Sequence, residues 1–162
     1  STYLRGDAAP LEDGEVITAA GLDLTVVATP GHTADSVSFL LSDAVLTGDT
    51  VLGTGTSVLD GKDGSLGDYL ESLDRLEQLG EGRAVLPGHG PDHADTAVLA
   101  RTYRAHREQR LDQVRGALDV LGPDASALAV VRHVYADVDK RLWPAARMSV
   151  KAQLDYLRSR PR

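Results

Sequence analysis

Cysteine is absent from this 162-residue chain, which excludes disulfides and thiolate metal sites. Any bound metal must be held by His, Asp or Glu. No run approaches about 18 consecutive apolar residues, so no transmembrane helix is expected. The segment Ser1-Thr2-Tyr3-Leu4-Arg5-Gly6-Asp7 lacks the basic-then-apolar order of a signal peptide. With the missing cysteines, this favours a cytoplasmic protein. Aromatic residues make up only 4% of the chain and do not interleave with the basic residues, as base stacking would require. Internal repeats and low-complexity tracts are also missing. What is present is an ordinary globular composition, 42% apolar, with length for one domain or one domain and a small appendage.

The net charge of −7 is unevenly spread. Residues 1–100 carry 17 Asp and Glu against 4 Lys and Arg, whereas residues 101–162 carry 7 against 13. An acidic body with a basic appendage is one reading, and solvated arginines docked on that body are the other.

Up to about residue 93 the chain reads as strands and turns around one helix. Glu15–Thr18 and Leu22–Val27 flank an Ala19-Ala20-Gly21 turn, a hairpin signal. Ser36–Leu41 forms a further strand. Gly53–Gly67 is a long loop of small and polar residues, the length of a functional segment. Within it Asp60-Gly61-Lys62-Asp63-Gly64 fails as an EF-hand, because Lys62 and Gly64 fall where oxygen ligands are needed. Three-to-four spacing of Tyr69, Leu70, Leu73, Leu76 and Leu79 predicts a helix stopped by Gly80 and Gly82. Thr96–Leu121 reads as one long helix, with Leu111, Val114, Leu118 and Leu121 as its apolar stripe. Arg101, Arg104, Arg107 and Arg110 supply its charge. Gly122-Pro123 ends it, Ser126 caps a short helix, and Pro144 suits the first turn of a last one. These three helices make a helix-turn-helix-like unit.

Three segments repeat one pattern. Leu24–Thr33, Ala44–Thr50 and Ala84–Gly90 each run a β-rich apolar stretch into a glycine followed at once by His32, Asp49 or His89. A residue just past a buried strand sits on a loop at the sheet edge, where binding groups are displayed. Glycine before it lets the backbone turn and approach closely. Two imidazoles and one carboxylate form a ligand set suited to zinc or a similar transition metal. His106 and His133 lack ligand partners at helical spacing, and His93 fits capping or a substrate contact equally well.

These motifs, with Asp68-Tyr69-Leu70-Glu71-Ser72-Leu73, His106-Arg107-Glu108-Gln109-Arg110 and Pro144-Ala145-Ala146-Arg147, resemble the metallo-β-lactamase superfamily. Within it the chain is most similar to β-lactamase-like hydrolases with a small winged-helix-like C-terminal region. The resemblance implies an α/β fold, an αββα sandwich with a dinuclear metal site, usually zinc, at one edge. Iron or manganese are the other metals it allows. On the matching positions His32 would bind the first metal, His89 the second, and Asp49 would bridge both and serve catalysis. The leading H-x-H-x-D-H motif of the superfamily is absent, and no histidine precedes His32. The expectation is therefore a C-terminal portion of a longer protein. Residues 1–95 would form the C-terminal half of the metallo-β-lactamase-like domain, and residues 96–162 the helical winged-helix-like region. The second sheet of the sandwich would then present its apolar inner face, which favours a homodimer if the chain exists alone.

The function implied is hydrolysis of an ester, thioester, lactam or phosphodiester by metal-activated water, on a small-molecule substrate or single-stranded RNA, with the site incomplete in this chain. A single-iron member doing oxygen chemistry is a variant of that reading. The alternative is a non-catalytic or RNA-directed nucleic-acid-binding protein. Arg147, Lys151 and Arg158, at i, i+4 and i+11 on one helical face, would contact phosphates.

Overall fold

The computed structural model describes residues 9–59 and 63–159. Asp60-Gly61-Lys62 of the rejected EF-hand and Ser1–Asp7 of the rejected signal segment lie outside the described residues. The first two strands, β1 (Val16–Ala19) and β2 (Leu22–Ala28), form a hairpin around Ala20-Gly21. Both turn residues have positive φ, 53° and 78°, the twist-matched arrangement for a two-residue hairpin. The strands β3 (Val37–Leu40) and β4 (Ala44–Gly48) continue the antiparallel meander. Helix α1 (Leu66–Leu79) then crosses over to β5 (Ala84–Pro87), which pairs parallel to β4. The sheet order is β1-β2-β3-β4-β5. This is the mixed α/β organisation expected from the pattern of apolar runs.

Directly paired residues share a face of the sheet, so the register sorts the side chains. Val85, Val45, Leu40, Thr25 and Val16 fall on one face. On that face Val45 and Val85 pack with Tyr69, Leu73 and Leu76 of α1 and with Ala100 and Tyr103 of α2 (Thr96–Leu121). The opposite face carries Leu86, Leu46, Phe39, Val26, Leu24 and Ile17. Val26 is fully buried, Leu86 is 39% exposed, and the others are half-buried. A sheet apolar on both faces with helices on only one matches the expected second sheet of a sandwich.

α1 starts where Ser65 accepts a hydrogen bond from the Asp68 amide and ends at Gly80. α2 starts at Asp95, whose carboxylate accepts from the Val98 amide and is held below its usual pKa chiefly by that bond. Its buried stripe is Ala100, Tyr103, Arg107, Leu111, Val114 and Ala117. This corrects two sequence expectations. Arg107 lies inside the stripe, four residues from both Tyr103 and Leu111, and is buried. Leu121 lies past the last packed turn and is 40% exposed.

The same helix serves both ends of the molecule. Its second half packs Val114 and Ala117 against α3 (Ala127–Val134) and α4 (Trp143–Ser159). Ser126 caps α3 through the Ala129 amide, as the sequence predicts. A short 3₁₀ turn, Lys140–Leu142, precedes α4. The buried face of α4 is Val150, Gln153 and Leu154, while Met148 is 54% exposed. Met148 therefore does not belong to the stripe with Leu154 and Leu157, because the i, i+4, i+7 row starts at Val150. Tyr156 and Leu157 pack on Leu66, Leu70 and Leu111, tying the last helix to the body. Among the described residues no strand follows β5, and no helix is long and apolar enough to cross a membrane.

Candidate metal centre at the sheet edge

Strand direction explains why three distant motifs meet. β2 and β4 are each antiparallel to β3 and so run the same way, and β5 is parallel to β4. The C-terminal ends of β2, β4 and β5 therefore open on one edge, and His32, Asp49 and His89 lie just beyond them. Ligand sites in sheets of this kind form outside the carboxyl ends of the strands.

The glycines before the histidines are required by contact. A Cβ on Gly31 would lie 2.4 Å from the Tyr69 Cα, and its φ is 135°. A Cβ on Gly88 would lie 2.9 Å from Asp49 Oδ1 and 3.1 Å from the Gly48 carbonyl group. The Gly88 amide instead donates to the Gly48 carbonyl at 2.8 Å. This close approach brings the third motif against the second.

His32 Nε2 lies 3.7 Å from Asp49 Oδ2, and His89 Nε2 lies 3.4 Å from Asp49 Oδ1. The two imidazoles thus address different oxygens of one carboxylate. They form two pairs sharing Asp49. Among the described residues no three His, Asp or Glu donors surround a common point for an ion. His32 Nδ1 donates to the Val58 carbonyl. In the neutral imidazole this leaves Nε2 with its lone pair toward Asp49. Two acceptors held face to face are suited to a cation between them, and an imidazole–carboxylate set is of the kind that would hold a transition metal. The number of donors is half of what two closed shells need.

The loop after Asp49 is tightly held. Ser57 Oγ donates to the Asp49 main-chain carbonyl at 2.6 Å, and Tyr69 Oη donates to the Thr50 carbonyl at 2.7 Å. Tyr103 Oη lies 2.9 Å from both the Leu52 and Gly55 carbonyls. Arg107 Nη2 donates to the Ser57 carbonyl, and its guanidinium lies 4.9 Å over the Tyr69 ring. Burial pushes the Tyr69 phenol up to about 12, with Arg107 opposing. Tyr69 and Arg107 lie within matching motifs but without an assigned role there, and Tyr103 and the Val58 carbonyl lie outside them. The i, i+4 spacing of Tyr103, Arg107 and Leu111 is the sequence signal for the two α2 residues. His93 Nε2 lies 2.7 Å from the Gly53 carbonyl, so the ring is bonded to the loop after Asp49.

The basic residues of α4 named from the sequence are all exposed. Lys151 pairs with Asp155 at 3.3 Å, and Arg158 donates to the Pro123 and Ala125 carbonyls at 3.3 and 3.0 Å. Arg147 is exposed.

Helices back one side of a mixed α/β sheet, and two imidazoles and a carboxylate lie at its strand ends. The profile of the metallo-beta-lactamase superfamily matches residues 2–89, and that of the beta-lactamase associated winged helix domain matches residues 126–162. The chain belongs to the metallo-beta-lactamase superfamily. It is 33% identical over 150 residues to a beta-lactamase-like protein 2 homolog of Drosophila melanogaster, covering 91% of this chain and 50% of that protein. A beta-lactamase-like protein 2 homolog of Caenorhabditis elegans is 34% identical over 149 residues, covering 91% and 48%. Among solved structures, a metallo-beta-lactamase family protein of Thermus thermophilus superimposes with a TM-score of 0.77. It is 31% identical, and the match covers 95% of this chain and 50% of that one. A further structure, solved in a di-iron-bound form, aligns with a TM-score of 0.50 and 28% identity over 63% of this chain and 50% of its own. The chain spans about half the length of the curated relatives it matches.

Proposed function

We propose that this chain supplies His32, Asp49 and His89 to the dinuclear metal site of a hydrolase whose remaining ligands come from a region outside residues 1–162. The carrying observation is the shared carboxylate, with Asp49 Oδ2 toward His32 and Oδ1 toward His89. That is the disposition a bridging ligand needs. When bound, two metals supply a water acidic enough to ionise near neutral pH and a Lewis acid for the scissile carbonyl or phosphoryl group. Asp49 fixes the separation of the two half-sites. The Val58 carbonyl holds His32 in the tautomer that presents Nε2. Zinc is favoured by the imidazole–carboxylate set. Iron stands beside it because one structural relative is di-iron-bound.

The substrate class is an ester, thioester, lactam or phosphodiester. The nucleic-acid reading ranks second. Of its three basic residues, Lys151 has Asp155 beside it and Arg158 bonds two backbone carbonyls, while all three keep their charge.

The test is metal content and hydrolysis in a protein that contains this chain together with its upstream region. Asp49→Ala should abolish binding of both metals and activity on simple esters and thioesters. His32→Ala and His89→Ala should each lose one metal. An Asp49→Ala protein that hydrolyses these substrates at the wild-type rate would overturn the reading.

A further inference from the structure

Arg107 belongs to α2, well along the chain from all three candidate ligands, yet it reaches the loop beside them. It is 7% exposed, its Nη2 donates to the Ser57 carbonyl, and its guanidinium stacks on Tyr69. The next carbonyl along the chain, that of Val58, accepts the proton on His32 Nδ1. The Val58 side chain gives no anchorage, being 67% exposed. Ser57 in turn donates from Oγ to the main-chain carbonyl of Asp49. One residue, Ser57, thus connects the backbone of one candidate ligand with the carbonyl that orients another, and Arg107 holds that residue.

We infer that Arg107 is a positioning residue for the metal centre, fixing His32 as the Nδ1–H tautomer through the Ser57–Val58 backbone. A buried guanidinium is costly to desolvate. Its partners here are a carbonyl and an aromatic face. Spending a buried cation on one loop is intelligible if the orientation of that loop matters. Tyr103, one turn earlier, holds the preceding stretch through the Leu52 and Gly55 carbonyls. α2 therefore grips the loop at two places while its far half packs on α3 and α4. The consequence for metal binding rests on the dinuclear-site reading. The tautomer itself does not.

The test uses the 162-residue chain and long-range ¹H–¹⁵N correlation spectra of its histidine rings at about pH 8, above the ordinary histidine range. Wild type should show His32 as a single Nδ1–H tautomer. Arg107→Met, which keeps an apolar stem without the donor, should give a mixture with the Nε2–H form. Arg107→Lys should restore the wild-type pattern in part, and Arg104→Met on the same helix should leave it unchanged. In the protein that includes its upstream region, titration with zinc alone should show affinity about tenfold weaker in Arg107→Met, the scale of lost outer partners of metal-binding histidines. A wild-type His32 in the Nε2–H form, or an unchanged tautomer in a folded Arg107→Met protein, overturns the inference. Should Arg107→Met fail to fold, the wild-type and Arg107→Lys spectra decide it, and an Arg107→Lys spectrum with no Nε2–H component beside an Nδ1–H wild type also counts against it. Absence of zinc binding in the protein that includes its upstream region would sink the metal reading, while the spectra still judge Arg107.

Discussion

The two faces of the sheet carry equally apolar side chains but are treated differently by the rest of the chain. Val45 and Val85 on one face are sealed under α1 and α2, whereas Leu86, Leu46 and Phe39 lie on the face away from those helices. Apolar area gains stability only when removed from water. The first face is covered where α1 and α2 cross it, and on the second Val26 is buried while Leu86 stays 39% exposed. The ligand set shows the same asymmetry. Three donors stand at the edge of this sheet, sharing Asp49, and the described residues around them do not supply the complement of two coordination shells. On the proposed metal reading, the uncovered sheet face and the incomplete ligand set have one origin.

The largest test of that difference is a pair of truncations in urea unfolding. Leu73→Ala, at a fully buried position under the sheet, should cost about 2–5 kcal/mol. Leu86→Ala on the open face should cost under about 0.5 kcal/mol. Equal costs would break the distinction between the faces. In a protein where a second sheet covers Leu86, its truncation should become distinctly more costly, which would sharpen it. Gly31→Ala drives a Cβ into the Tyr69 backbone at a positive φ on the closed side. Overlap and backbone strain together should cost about 2–4 kcal/mol, read as a lowered urea midpoint.

Ser126→Ala removes the cap of α3, which packs away from both sheet faces. The expected loss is about 1 kcal/mol with the metal-site loop unaffected, checked by thermal unfolding and histidine spectra. The smallest effect is a pH dependence. Burial, then Arg110 and Arg107, hold His106 below its ordinary value of 6.5. The unfolded chain therefore takes up a proton first as pH falls. Stability drops as pH falls through about 6.5 toward the folded value and is unaffected above it. His106→Gln should remove that component, leaving a melting temperature less sensitive to pH in this window.

Much of the fold is legible in the sequence because local signals agree. Thr96–Leu121 is bounded by Asp95 and Gly122, and its periodicity runs unbroken between them. The hairpin and the Ser126 cap likewise follow from turn and capping chemistry. The candidate ligands are legible as a repeated strand–glycine–donor pattern. Their convergence depends on β2, β4 and β5 running the same way, which residue patterns alone do not state. Arg107 reads in the sequence as one of four helix charges, since arginine is rarely buried. Its place between Tyr103 and Leu111 is the available clue to its burial. On α4 the partners are partly legible: Asp155 four residues after Lys151 is a ready helical partner, whereas the carbonyls that accept from Arg158 lie in a distant turn.

Whether this chain is one half of a dinuclear site is decided by metal per chain, measured by elemental analysis on residues 1–162 alone and on the protein that includes its upstream region. About two zinc or iron are expected in the longer protein and fewer than about one in the shorter, since structural coordination needs about four ligands per ion. A longer protein that binds none would contradict the assignment of His32, Asp49 and His89 as ligands.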